Sequence, residues 1–140
     1  MTENFKILAE FVKDLSSETP DVQTYIFVKE NILKYQIDLD ITSKALKNKM
    51  IEINTKLRFS DKALTEKKSY FEIIYASVVK INEDVKDKKD LEKIVLCDVQ
   101  NEIYPNLEKT FLNLLHNSGF PEVKLEKKID FNKLYSERFN

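Results

Sequence analysis

Residues 70–81 form an apolar run with two faces. In period two, Phe71, Ile73, Tyr75 and Val79 fall on one side, and Tyr70, Ile74, Ala76 and Val78 on the other. A strand that is apolar on both sides needs cover on both sides. One face can be covered by the chain's own helices. The other must meet a partner chain or a ligand, because large exposed apolar patches on soluble proteins mark binding surfaces. Oligomerisation is the simpler cover, and it can coexist with a groove.

Three earlier segments read as strands with one wet face. Phe5, Ile7, Ala9 and Phe11 alternate with mostly polar neighbours. Tyr35, Ile37, Leu39 and Ile41 alternate with Gln36, Asp38, Asp40 and Thr42; Ile51, Ile53, Thr55, Leu57 and Phe59 alternate with charged and polar residues. The last two flank a polar connection, Ser43 to Lys49, so an antiparallel hairpin is the simplest pairing. Asp38 and Asp40 then face Lys56 and Arg58. The stretch from Asp14 to Asp21 is rich in Ser, Glu and Thr, includes Pro20, and reads as a loop. Residues 22–33 fit neither template.

After residue 85 the period changes. Asp90 is an expected N-cap for a helix from Leu91. Pro105 suits a first helical position, and Tyr104, Leu107, Phe111, Leu114 and Leu115 make one stripe at 3.6 spacing. Gly119 falls where a helix exit needs positive φ. A last helix is expected from Phe131, capped by Asp130, with Leu134, Tyr135 and Phe139 inward. The expectation is an α+β fold: a four-stranded antiparallel sheet packed with two or three helices. With 140 residues, one domain over 1–140 is expected.

Composition removes several function classes. Apolar residues make up 42% and charged residues 34%, a globular balance. A single glycine excludes the glycine loops that cradle phosphates. With 23 basic against 24 acidic residues there is no field to draw nucleic acid. No apolar window approaches the ~20 residues of a membrane span, and no basic segment followed by an apolar run opens the chain. A cytoplasmic protein without membrane insertion is expected. His116 and Cys97 are each the only one of their kind, so no metal-ligand cluster can be written, and no oriented third group joins them as a nucleophile pair. No catalytic residue, cofactor or metal is expected.

The ordered segments then resemble one family. Lys13-Asp14-Leu15-Ser16-Ser17-Glu18-Thr19-Pro20 resembles the signature after the first strand of SecB proteins, with Ser17 in place of a bulky apolar residue. Ile37–Ile41 is similar to their second strand, and Phe71–Val79 to the strand that ends near Tyr-Ala-Gly, with Ser77 for the glycine. Asn101, Tyr104 and Pro105 fit the opening of the long helix, Gly119-Phe120-Pro121 its exit, and Ile129-Asp130-Phe131 through Tyr135 the closing segment. The match is colinear over about residues 4–139. It departs at Asn106 and Glu108, where an aromatic and an arginine are usual, and at the longer exit Leu125–Lys128, which lacks a proline.

The resemblance implies a protein-export chaperone, a holdase that binds unfolded preproteins, keeps them translocation-competent and delivers them to the SecA ATPase. It implies a homotetramer, a dimer of dimers. It puts SecA binding on Asp14, Glu18, Tyr70 and Glu72, and a client-peptide groove on Tyr104, Phe131 and Tyr135. Such a holdase needs no ATP, since binding the unfolded state shifts the client's equilibrium by mass action. A SecB-like chaperone dedicated to one client, such as an antitoxin, is the alternative; a scaffolding oligomer without clients is a more distant one.

Overall fold

The computed structural model describes residues 4–61, 68–125 and 129–138. Four strands, β1 (Phe5–Glu18), β2 (Gln36–Ala45), β3 (Met50–Ser60) and β4 (Tyr70–Ile81), form one antiparallel sheet in the order β1-β4-β3-β2. The two-faced strand β4 is therefore central, and β1 and β2 are the edges. Helix α1 (Val22–Asn31) links β1 to β2. Helix α2 (Lys88–Lys93), a π turn (Ile94–Asp98) and α3 (Val99–Asn117) run on as one long helical stretch, and α4 (Phe131–Arg138) follows. The α+β sheet with three helical units is the architecture expected.

Several local readings change. The stretch from Asp14 to Glu18 is not a loop but the second half of β1, paired with Ile74 through Tyr70. Two register shifts, at Leu8 and Lys13, bend this long edge strand and let it carry its polar residues alongside β4. Residues 22–31 are helical, with the Asp21 side chain accepting from the Thr24 N–H at 2.7 Å. The long helix begins earlier than its periodicity suggests: Asp87, not Asp90, is its N-cap, and Pro105 lies inside α3. Packing of an apolar stripe on the sheet outweighs the single hydrogen bond that proline removes.

The expected antiparallel hairpin forms, and the structure fixes its register. Asp38 lies opposite Arg58 and Asp40 opposite Lys56. With no glycine available, its turn places Asn48 and Lys49 in the left-handed region, at φ 61° and 58°. Gly119 has φ 102°, and an added Cβ would stand 2.5 Å from the Tyr25 ring, so both conformation and space demand glycine there. Asp130 caps α4, accepting from the Lys133 N–H at 3.1 Å. Phe139 lies outside the described residues, as do 126–128 of the lengthened exit.

The core lies between one face of the sheet and α3. Ile53, Leu57, Phe71, Ile73 and Val79 from the strands and Val99, Ile103, Leu107, Phe111 and Leu115 from the helix are fully buried. Each such side chain contributes about 1.5–3 kcal/mol on removal from water. A buried polar link crosses this layer. Thr55 donates to Oε1 of the buried Gln100 at 2.9 Å, and Gln100 Nε2 donates to the Val95 carbonyl in the π turn at 3.2 Å. On β4's opposite face Tyr70, Ile74 and Val78 are only half-buried, while Ala76 is buried, and no helix among the described residues crosses that side.

Candidate client groove and partner surface

An open groove of about 1430 Å³ runs along the β2 edge. Its floor is the row Tyr35, Ile37, Leu39 and Ile41, the apolar set of the second strand pattern. The end of α1 supplies one rim and α4 the other. Leu33, 98% exposed, and Leu134, 46% exposed, stand among the rim residues. Alternate residues of a strand are spaced about 6.6–6.8 Å apart. The floor is thus a ladder of apolar contacts beside an unpaired strand edge, and the charges around it, among them Lys29, Glu30, Asp130 and Lys133, are of both signs.

The three expected groove aromatics fall in different places. Phe131 and Tyr135 line the groove. Phe131 is only 2% exposed, and Tyr135 is half-buried with its hydroxyl donating to the Lys89 carbonyl at 3.3 Å. Tyr104 does not line it. Its ring stands edge-on to Phe131 at 5.4 Å, and its hydroxyl is buried with no hydrogen-bond partner among the described residues. Burial, then the charge of Glu108, pushes its phenol well above the ordinary value.

Two groove residues were legible in the sequence only as core: Tyr35 and Phe59. Their rings pack at 5.3 Å and both line the groove. The Tyr35 hydroxyl accepts from the Ser69 N–H at 3.1 Å and donates to the Ser69 carbonyl at 3.3 Å. Burial raises its pKa, partly offset by the Ser69 N–H, so it stays a protonated donor. Leu33 lies in the segment that fitted no template; nothing in its neighbours signalled exposure.

The four expected motor-binding residues come together on the open face of the sheet. Glu18 pairs with Tyr70, Ser16 with Glu72 and Asp14 with Ile74, so Asp14, Glu18, Tyr70 and Glu72 project to one side. The register also brings two cations that were not foreseen. Arg58 donates to Glu72 at 3.1 Å, Lys56 Nζ lies 3.3 Å from the same oxygen, and the Arg58 guanidinium sits 5.5 Å from the centre of the Tyr70 ring. Burial pushes the Glu72 carboxyl up, but hydrogen bonds from Tyr70, Arg58 and Lys56 outweigh it and hold the group below its ordinary value. Glu72 is therefore an internally neutralised acid, while Asp14 and Glu18 are exposed. Further along the face Lys13 pairs with Glu52 at 2.8 Å.

Both singular chemical residues are engaged in local contacts. Cys97 is buried and contacts Asn132 and Asn101, and burial followed by the Asp98 charge raises its thiol pKa. His116 hydrogen-bonds the Val123 carbonyl at 3.0 Å and ties the helix exit. Among the described residues no cluster of His, Cys, Asp and Glu could hold a metal, and no helix is long and apolar enough to cross a membrane.

Comparisons with known proteins agree on one family. The model of the preprotein translocase subunit SecB matches residues 1–140. A putative protein-export protein SecB of Pelagibacter ubique (strain HTCC1062) is 61% identical over 140 residues, covering 100% of both chains. A protein-export protein SecB of a Bradyrhizobium strain is 22% identical over 131 residues, covering 94% of this chain and 79% of its own. Among solved structures, a SecB-like chaperone of Mycobacterium tuberculosis in complex with a ChAD peptide from the HigA1 antitoxin superposes with a TM-score of 0.67 at 10% identity, over 90% of this chain and 88% of that one.

Proposed function

The chain belongs to the SecB family, and on that premise we propose that it is a protein-export chaperone whose client site is the groove along β2. The observation that carries the reading is an apolar floor beside an unpaired strand edge. Main-chain hydrogen bonds at an edge are indifferent to sequence, and alternate apolar contacts add affinity without strict selection. Unfolded preproteins offer both. Phe131 and Tyr135 take part as groove wall, and Tyr104 supports Phe131 from beneath. No catalytic residue and no cofactor enters the proposal.

The rest of the reading follows from the open face and the other edge. SecA engages Asp14 and Glu18 beside Tyr70, with Glu72 holding Arg58 against that ring. Residues 1–140 act as one SecB-like domain in the cytoplasm. Strand β1 pairs with a second copy, and the protein works as a dimer of dimers. Leu8, Phe11, Val12 and Leu15 on β1 are 41–46% exposed, and a bare apolar edge strand of 14 residues favours a like strand as its cover.

The deciding experiment is suppression of aggregation. Substoichiometric chaperone is added to a chemically unfolded client, and light scattering is followed. The wild type is expected to hold the client soluble. Leu39→Asp, which sets a charge on the groove floor, is expected to lose most of that protection while keeping its circular dichroism. A wild type that leaves aggregation unchanged overturns the function. Recovery of one client species rather than many, an antitoxin for example, selects the dedicated-chaperone reading.

A further inference from the structure

The open face of the sheet is electrically divided. Its exposed acids Asp14 and Glu18, with Asp38 and Asp40, stand in the half where Tyr70 begins β4. The other end, where β4 finishes, carries lysines. Lys6 lies directly across from Lys80, and Lys80 from Met50, so all three share the open face. Like charges set directly opposite destabilise a sheet. Among the described residues neither lysine has an ion-pair partner. At the hairpin tip Leu46 donates its N–H to the Met50 carbonyl at 2.8 Å and is 37% exposed. Lys44, Lys47 and Lys49 flank it, all exposed. The Ile81 N–H donates to the Lys49 carbonyl at 2.9 Å, so the tip and the end of β4 form one corner. Lys49 has φ 58°, where glycine is at ease and a lysine is strained. Of the nearby carboxylates, Glu52 is taken by Lys13 at 2.8 Å, and Glu83 and Asp84 lie past the end of β4. The lysines outnumber the acids left free.

We propose that this corner docks the protein on a membrane surface rich in anionic phospholipid. Three features select a lipid surface among anionic partners. The lysines are spread over a sheet end and a hairpin tip rather than gathered round a cavity, which suits a diffuse plane of charge better than a single phosphate. Leu46 and Met50 sit in their midst. At a bilayer surface apolar side chains enter the headgroup layer while lysine stems lie along it and keep their charge in water. A nucleic-acid backbone offers no such apolar layer. None of these side chains is an arginine or an aromatic, the groups that read base edges or stack on bases. The docking is peripheral, since one leucine and one half-buried methionine do not carry a chain into the bilayer. The inference stands on this corner alone, apart from the client groove and from the acidic half of the face.

The test is co-flotation of the full-length protein with vesicles of phosphatidylcholine, with and without phosphatidylglycerol. The wild type is expected to float with the phosphatidylglycerol vesicles, to stay behind with phosphatidylcholine alone, and to be released as added salt screens the charges. Lys6→Gln with Lys80→Gln should lower partitioning about 25-fold, at about five-fold for each lysine near an anionic surface. The two lysines repel each other, so this variant should keep its circular dichroism and thermal midpoint, which separates lost docking from lost folding. Lys34→Gln with Lys109→Gln removes the same charge from exposed sites elsewhere and should stay within about two-fold of the wild type. Leu46→Ser should weaken vesicle binding by about three-fold or more and leave binding to heparin, a polyanion with no apolar layer, unchanged. A wild type that does not float with phosphatidylglycerol vesicles overturns the proposal. So does a Lys6 and Lys80 pair that matters no more than the Lys34 and Lys109 pair. Tighter binding to duplex DNA than to the vesicles at the same salt, with Leu46→Ser without effect on either, also overturns it and makes the partner a nucleic acid.

Discussion

The two edges of the sheet solve the same problem in opposite ways. Both β1 and β2 leave one row of backbone groups unpaired, a standing invitation to another strand. Strand β1 is long, bent at two places, and keeps apolar side chains exposed on both faces even though α3 reaches one of them through Asn106 and Glu10. Strand β2 has its apolar row half-sheltered below the rims of α1 and α4. A bare edge suits a permanent partner that stays folded beside it. A roofed edge suits a visitor that must enter extended and leave again. The difference lies in what stands above each edge rather than in the strands themselves, whose apolar alternation is similar.

That contrast can be broken by charging each edge in turn. Phe11→Lys together with Val12→Lys places cations on both faces of β1. If β1 builds the proposed dimer of dimers, the expected result is a sedimentation mass below that of the wild type at the same concentration. An unchanged mass would remove β1 from the interface. Leu39→Asp on β2 should leave the mass untouched and weaken client binding by about ten-fold or more, the loss of one buried apolar contact being about 1.5–3 kcal/mol. Fluorescence anisotropy of a labelled unfolded client reads this directly, and an equal effect from the β1 variant would erase the distinction between the edges.

Smaller effects sharpen the picture of the face between the edges. Asp14→Lys with Glu18→Lys should abolish most SecA binding while client holding survives, since both side chains are exposed and lie on the face away from the groove. Glu72→Gln should cost about 0.5–1 kcal/mol near neutrality, as its partners Lys56 and Arg58 are partly solvated. Its native pKa is lowered, so its contribution is present above the ordinary value of 4.5 and lost as pH falls through the lower native value. Denaturation of wild type and variant should therefore converge in acid below that range and diverge above it. Smallest of all, Tyr104→Phe removes a buried hydroxyl that has no close hydrogen-bond partner among the described residues beyond the neighbouring Glu108 carboxylate, and should change stability by no more than about 1 kcal/mol. A clear loss would show that the hydroxyl is satisfied in solution.

Much of the fold was legible in the chain. Period two marked β2, β3 and β4, because a pleated strand with one buried face must alternate, and a one-residue slip would have exposed the whole apolar set. The same logic put Asp38 and Asp40 across from Lys56 and Arg58; the structure sets the register as Asp38 with Arg58 and Asp40 with Lys56. The stripe from Tyr104 to Leu115 marked the long helix, though not its start, since the π turn and interior Pro105 break the local rules. The second half of β1 was missed because Asp14, Ser16, Ser17 and Glu18 carry no strand preference; only pairing with β4 makes them extended. For the site, the sequence named Phe131 and Tyr135 but not Tyr35 and Leu33, whose exposure or burial depends on where α1 and α4 come to rest.

What the sequence settled by itself was the alternation, the Gly119 exit, the Asp130 cap and the two-faced strand, all consequences of short-range sterics and of the need to bury one side of each element. What only the tertiary structure decided was which apolar rows stay uncovered and which charges meet: the roof over β2, the bare edge of β1, and the two cations on Glu72. Those depend on contacts between residues distant along the chain, and no local pattern encodes the distance between them.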